Sequence, residues 1–231
     1  MTNNKTITCL LPMKLHSERV PNKNYRLLGH KPLYRWMLDK LLDVNEISKI
    51  IINTDAIHIL QKDEIFQNEK ITLRQRPEHL IGDLVSMNKI IEDDLENVDS
   101  DIFLMTHTTN PFLEQESIKQ GITKFLKGFE VGDFDSLFTV NKIQTRFYDS
   151  YLKPINHDLA DLKRTQDLEV WYEENSNFYI FTKDSFFINN NRIGNKPLIY
   201  ENNKLECLDI DTQDEWDFAE KLVNSNIIKD N

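Results

Sequence analysis

Thr6–Asn24 reads TITCLLPMKLHSERVPNKN. Its first half is a mostly apolar run, the pattern of a strand covered on both faces of a sheet. Its second half is a loop carrying Lys14, His16, Ser17, Arg19, Lys23 and Asn24, with no glycine. Loops after the first strand of an α/β sheet commonly hold phosphate on glycine-rich backbone. Here cationic and polar side chains stand where backbone amides would. Lys and Arg can neutralise a triphosphate, and Ser17 and Asn24 can orient it. The bland alternative is a solvated loop whose long side chains lie along the surface.

Working outward, strands and helices alternate. KPLYRWMLDKLL (31–42) sets Leu33, Trp36, Met37 and Leu41 on one helical stripe, with Pro32 suited to the first turn. SKIIINT (48–54) is a continuous apolar strand, and Asp55 can cap a helix over 56–67. ITLRQR (71–76) is a short strand, and the next helix places Leu84, Met87, Ile91 and Leu95 on one face. DIFLMTH (101–107) is a strand ending in the loop TTNPF. A further helix carries Ile118, Ile122, Phe125 and Leu126, and DSLFTV (135–140) is the next strand. This alternation predicts an α/β fold: a three-layer, mostly parallel sheet with ligands at the carboxyl ends of its strands.

The pattern changes after Val140. Residues 141–175 hold few periodic apolar positions and are too long for a simple connection, so they form a lid, a dimerisation arm or an insert. NSNFYIF (175–181) is a strand, KDSFFINN (183–190) a short helix and KLECLDI (204–210) a late strand. Thr212 and Glu215 make a capping box for a last helix with the stripe Trp216, Ala219, Leu222 and Val223. Without an internal repeat or a low-complexity linker, residues 1–231 are expected to be one domain with 141–175 as its excursion.

The 231-residue chain carries a formal net charge of -10. That argues against a general nucleic-acid or anionic-membrane binder, because both need a basic surface. The basic cluster at 14–26 stands out against this background. Cys9 and Cys207 both fall in expected strands, so buried reduced thiols and a cytoplasmic location are expected. The polar start MTNNKTIT shows no signal peptide, and no apolar run is long enough to span a bilayer.

Three more stretches collect at expected strand ends. LDIDT (208–212) offers Asp209 and Asp211 with Ile210 between them, and alternation turns both carboxylates the same way. Paired oxygen ligands suit Mg²⁺, which takes its remaining ligands from water and phosphates. Alternatively, Asp211 only favours the helix that follows. RQRPEHLIGD (74–83) offers Arg76, within reach of a base or phosphate, and Asp83, which can instead cap the next helix. THTTNPF (106–112) places His107, Thr108 and Thr109 in a polar loop where a sugar or base could touch them. There is no zinc spacing and no nucleophile elbow.

Residues 10–38, LLPMKLHSERVPNKNYRLLGHKPLYRWML, resemble the signature of the CMP-sialic acid synthetase (acylneuraminate cytidylyltransferase) family, I-P-A-R-x-G-S-x-R-x-P-x-K-N followed by a G-K-P-L helix. Similar segments follow in order: INTD, RPEHLIGD, LMTHTTNPF, RTQDLEVWYEENSNFYIF and LDIDTQDEWDFAE. The resemblance implies a Rossmann-like nucleotidyltransferase sheet with an inserted dimerisation arm, and a homodimer. It implies that Lys14, Arg19, Lys23 and Asn24 hold nucleotide phosphates and ribose, and that Arg76 helps bind cytosine or phosphate. It implies Mg²⁺ on Asp209 and Asp211, acceptor contacts near His107, and Arg164 and Gln166 on an arm that crosses a dimer. The implied reaction joins CTP and an acidic 2-keto-3-deoxy sugar into a CMP-sugar and pyrophosphate. Other acceptors, such as an octulosonic acid or a sugar phosphate, a glycosyltransferase with a D-x-D metal site, and a nucleotide-binding module without catalysis are the alternatives. The chain departs from the signature at Lys14 (family Arg), Leu15 and His16 (family glycine region), His107 (family Gln) and Asn175–Ser176 (family N-G).

Overall fold

The computed structural model describes residues 5–225 and 228. Its strands are β1 (Ile7–Leu10), β2 (Leu27–Leu28), β3 (Lys31–Pro32), β4 (Lys49–Thr54), β5 (Ile71–Gln75), β6 (Ile102–Thr106), β7 (Ser136–Ile143), β8 (Trp171–Phe181) and β9 (Pro197–Glu201). Its helices are α1 (Leu33–Leu42), α2 (Ile57–Leu60), α3 (Met87–Asn97), α4 (Gln115–Glu130), α5 (Lys183–Asn189) and α6 (Gln213–Asn224). Seven strands form one sheet in the order β5-β4-β1-β6-β8-β7-β9. Only β8 runs against the others. The carboxyl ends of β1, β4, β5 and β6 therefore open on one edge, and the start of β8 joins them there.

Two-residue alternation sorts the strand side chains into two cores. Cys9, Ile50, Ile52, Leu104 and Phe178 face α1 and α4, packing on Met37, Leu41, Ile118 and Phe125. Leu10, Ile51, Met105, Tyr179 and Phe181 face the other way, onto Ile91, Leu95 and Phe186 of α3 and α5. A third core lies at the carboxyl edge: Val20, Leu28, Trp36, Phe112, Ile210, Trp216 and Ala219. It ties the β1 loop, α1 and α6 into one unit. At the β2–β3 turn Gly29 has φ +66, and a Cβ there would meet Val223 Cγ1 at 2.7 Å, so both backbone and space require glycine.

Several expectations change. The helix expected over 56–67 divides into α2 and a 3₁₀ turn at Glu64–Gln67. Asp63 causes the break: it is extended, and its side chain accepts from Ile65 N and from Tyr34 Oη (2.6 Å). Asp55 caps neither piece. Leu84 is fully exposed, and α3 begins three residues later behind a Ser86 cap. Pro32 precedes α1 at its cap position instead of entering the first turn.

KLECLDI is a turn followed by irregular chain. Buried Glu206 folds it by accepting from Asn202 Nδ2, Asn203 Nδ2 and Glu114 N. Cys207 consequently sits half-buried in a turn, not in a strand, although both cysteines are free thiols. The edge strand is instead β9, whose first residue is Pro197, a position where a missing N–H costs no ladder bond. The excursion narrows to 144–170, because β7 runs to Ile143 and β8 starts at Trp171. Ser176 has φ 58 where the register of β8 shifts, which is why a glycine suits that position.

Candidate active site

The β1 loop keeps its shape through hydrogen bonds to neighbouring strand ends. Met13 N donates to the Asn53 carbonyl at 3.0 Å, and Leu15 N to Asp55 Oδ1 at 2.7 Å. Asn24 Nδ2 donates to the Lys14 carbonyl at 2.9 Å, while Asn24 Oδ1 accepts from Thr108 Oγ1 at 2.6 Å. Buried Arg76 donates from Nη2 to the Met13 carbonyl (3.2 Å) and the Asn53 carbonyl (2.8 Å), and from Nε to Asn53 Oδ1 (3.0 Å). Asn24, Thr108 and Arg76 thus hold the loop itself. Lys14 reaches outward to Asp83, the residue that leaves its expected capping role. The Asp83 carboxyl is held below the usual carboxylate range by this bond and charge.

Lys23 and Arg19 converge on Asp211. Lys23 is only 7% exposed, and its Nζ donates to the Ile210 carbonyl at 2.6 Å and to Asp211 Oδ1 at 3.0 Å. Arg19 Nη2 donates to Asp211 Oδ2 at 2.8 Å. Burial pushes the Asp211 carboxyl up, but Lys23 and then Arg19 outweigh it and hold the group below its ordinary range. The Asp pair does not end a strand, so alternation is not what orients it. Ile210 is pinned in the third core and its N–H donates to the Thr109 carbonyl at 2.8 Å. Glu215 takes the Asp211 N–H at 2.8 Å and closes the capping box with Thr212.

Asp209 is the unsatisfied member of the pair. Its Oδ1 is buried without a hydrogen-bond partner. Burial raises its pKa, a hydrogen bond with Thr109 lowers it, nearby Asp211 raises it and Lys23 lowers it, with a net upward shift. A buried carboxylate oxygen lacking a donor, beside a second carboxylate, fits a hard divalent cation that still needs oxygen ligands from elsewhere. Among the described residues no cluster of three or more His, Cys, Asp and Glu could hold a metal alone. The pair therefore fits a metal shared with phosphate and not an all-protein cage.

His107 lies two residues past Met105 and one past the end of β6. The residue as a whole is half-buried, and burial of its ring pushes its pKa down to about 4; Arg192 and Lys23 add to the shift and Asp211 opposes it. His107 is thus neutral at pH 7, able both to donate and to accept. Arg192 had no signal in the sequence: it is an isolated cation in an Asn-rich turn, brought beside β6 only by the fold. Asp55 and Asn53, which fasten the loop, were likewise legible only as residues at a strand end.

Arg164 and Gln166 are not joined to this cluster by any contact among the described residues. Arg164 is exposed and pairs with Asp167 at 2.7 Å, and the Gln166 carbonyl accepts from Gln144 Nε2 at 2.9 Å. Lys14, Arg19, Lys23, Asn24, Arg76, His107, Thr108, Thr109, Asp209 and Asp211 do share the carboxyl edge. No helix among the described residues is long and apolar enough to cross a membrane.

The chain is similar to known proteins along most of its length. The chain is 27% identical to the CMP-N,N'-diacetyllegionaminic acid synthase of Legionella pneumophila, covering 95% of this chain and 97% of that one. It is 22% identical to the pseudaminic acid cytidylyltransferase of Campylobacter jejuni, covering 94% and 96%. Against the N-acylneuraminate cytidylyltransferase of Oncorhynchus mykiss identity is 25%, and the chain spans about half (50%) of that protein's length. Two solved structures share the fold. A 4-diphosphocytidyl-2C-methyl-D-erythritol synthase from Anaerococcus prevotii superposes with TM-score 0.69 at 14% identity, covering 96% of this chain and 97% of that one. A CMP:2-keto-3-deoxy-manno-octonic acid synthetase complexed with CTP gives 0.67 at 11%, covering 95% and 99%. The cytidylyltransferase family profile matches residues 8–231, so the chain belongs to the cytidylyltransferase family.

Proposed function

We propose that the protein transfers CMP from CTP to the anomeric hydroxyl of a nonulosonic, sialic-acid-like 2-keto-3-deoxy acid, releasing pyrophosphate. The observation that carries this reading is the clasp of Lys23 and Arg19 on Asp211, beside an Asp209 oxygen with no partner, at the carboxyl edge of a parallel sheet. In the free protein the two cations rest on a carboxylate. Triphosphate oxygens would compete for them, because both groups are anionic acceptors of the same donors. Lys14, exposed at the loop's outer side, would join them on the departing pyrophosphate. The hydroxyl oxygen bonds to the α-phosphorus, the bond from that phosphorus to the β-phosphate oxygen breaks, and pyrophosphate leaves with its electron pair. The hydroxyl proton is released.

Asp209 and Asp211 would hold Mg²⁺, which when bound offsets the negative charge of the phosphates. The chain's own contribution is position: Arg76, Asn24 and Thr108 fix the loop, and Glu215 fixes Asp211. His107, Thr109 and the neighbouring β8 start face the acceptor. CTP supplies the reaction in the cytoplasm.

We further infer a homodimer in which residues 144–170 complete the partner's site. This segment and its flank expose Tyr151 (82%), Leu152 (81%), Ile155, Leu159 and Leu162, an apolar set with nothing of its own fold to cover it.

The test incubates the protein with Mg²⁺, each common ribonucleoside triphosphate and a panel of eight- and nine-carbon 2-keto-3-deoxy acids, with products identified by mass spectrometry. A CMP-sugar and pyrophosphate formed from CTP and a nine-carbon acid is the expected result. Turnover of an octulosonic acid alone would move the acceptor class, and binding of CTP with no pyrophosphate from any acceptor would overturn transferase activity.

A further inference from the structure

Arg192 has no carboxylate facing it as a salt-bridge partner among the described residues. It lies between α5 and β9, in a turn held to α3 by Asn88 Nδ2 donating to the Asn190 carbonyl at 3.0 Å. Its guanidinium lies 4.0 Å from the centre of the Tyr179 ring. It makes a weak polar contact, Nη1 donating to Met105 Sδ at 3.8 Å. Its Nε is buried with no hydrogen-bond partner. The nearby Glu174 is engaged elsewhere, accepting from the Tyr179 hydroxyl. A partly buried guanidinium with an unsatisfied N–H is costly to keep without an anion, and a planar fork suits a carboxylate.

Its neighbours say where that anion comes from. Met105, which pairs with Tyr179 across β6 and β8, lies on the side occupied by Tyr179 and Arg192, and His107 follows two residues on, just past the strand's end. His107 is within electrostatic reach of Arg192, Asp211 and Lys23. Through Met105 and Tyr179 the guanidinium therefore sits at the carboxyl end of β6, the edge of the sheet that also gathers Lys23 and Asp211. In a 2-keto acid sugar the anomeric carbon bears both the carboxylate and the hydroxyl that attacks. A cation that grips the carboxylate thereby fixes the attacking oxygen.

We propose that Arg192 binds the C1 carboxylate of the acceptor and orients its anomeric hydroxyl toward the nucleotide. Tyr179 holds the guanidinium plane from beneath and Glu174 holds Tyr179. The proposal rests on the CMP-transfer reading above, and it adds the group that selects acidic acceptors over neutral sugars.

The test uses the acceptor that the wild-type protein turns over fastest, as the free acid and as its C1 methyl ester, with CTP and Mg²⁺. In the wild type the ester is expected to lose about 10- to 100-fold in kcat/KM, the scale of a charge-assisted hydrogen bond. In Arg192→Gln the free acid should fall to the level of the ester, while the KM for CTP stays within about twofold of the wild type. Arg192→Lys keeps the charge without the fork and should give an intermediate acid-to-ester ratio; it carries the test if the Gln variant does not fold. An acid-to-ester ratio unchanged from wild type in the folded variants overturns the proposal. So does a raised KM for CTP with the acceptor KM unchanged, which would assign Arg192 to a phosphate. Absence of turnover by the wild type with every acceptor would instead count against the CMP-transfer reading itself.

Discussion

Lys23 and Asp211 form an ion pair whose two halves carry different risks. The Asp211 side chain is 40% exposed, so its pairing with Lys23 and Arg19 adds little to stability, within about 1 kcal/mol for such solvent-screened pairs. Asp211→Asn should therefore melt near the wild-type temperature while turnover falls by about 100- to 1000-fold, the scale of a lost transition-state stabiliser. Near wild-type rates at saturating Mg²⁺ would remove the pair from the mechanism. Lys23→Ala leaves the Ile210 carbonyl without its donor, so it should lose activity and also about 1 to 3 kcal/mol of stability in urea titration. His107 gives a pH signature. Its folded pKa of about 4 lies below the ordinary value of 6.5. Below 6.5 the unfolded chain takes up a proton that the folded chain refuses. The stability this provides is complete above pH 6.5 and is lost as pH falls toward 4. Wild type should thus lose stability relative to His107→Gln over that window, and the ring resonances should titrate near 4; a midpoint near 6.5 would contradict the enclosed setting.

At the scale of elements, the start of α6 does two tasks. The capping box of Thr212 and Glu215 satisfies free N–H groups, and the same Glu215 carboxylate receives the Asp211 N–H. Burial raises the Glu215 pKa, but the Asp211 N–H, Thr212 and their hydrogen bonds outweigh it and hold the group below the usual carboxylate range. Glu215→Ala should cost about 0.5 to 2 kcal/mol as an ordinary lost cap. It should also lower kcat, because the backbone that carries Asp211 loses its anchor. Thr212→Ala separates the two effects: it weakens the cap while leaving Glu215 on Asp211. Equal kcat in both variants would make the box purely structural.

At the scale of the whole molecule, the sheet gathers the phosphate-facing loop, the Asp pair and the His107–Arg192 side on one edge. Arg164 and Gln166 remain outside that gathering in one chain. If the 144–170 segment acts across a dimer, light scattering should report twice the 27.4 kDa chain mass. Asp211→Asn and Arg164→Ala are each expected to be inactive alone. Mixed after subunit exchange they should regain activity, because one hybrid site has both residues intact. A monomer in solution, or no recovery after demonstrated exchange, would leave the apolar exposure of Tyr151 and Leu152 without this explanation.

Continuous apolar runs made β1, β4 and β6 legible, because both faces of each strand are buried, and helical periodicity did the same for α1 and α4, each of which buries one stripe. The basic loop, the D-x-D pair and the capping box were also legible, since charge and hydrogen-bonding capacity belong to the side chains themselves. The divided 56–67 helix, the turn at 204–208 and the edge strand β9 were not. Each depends on a competitor elsewhere: Asp63 on Tyr34, Glu206 on Glu114, and a parallel partner in β7. The sequence by itself thus determined the layered α/β sheet and the chemistry gathered at residues 14–24 and 209–211. Only tertiary structure decided that Arg76 and Asn24 brace the loop, that Asp209 keeps an oxygen without a donor among the described residues, and that Arg192 lies over Tyr179 beside Met105 at the end of β6. Burial and pairing are properties of contacts between distant segments, and no local pattern in the chain encodes which segments will meet.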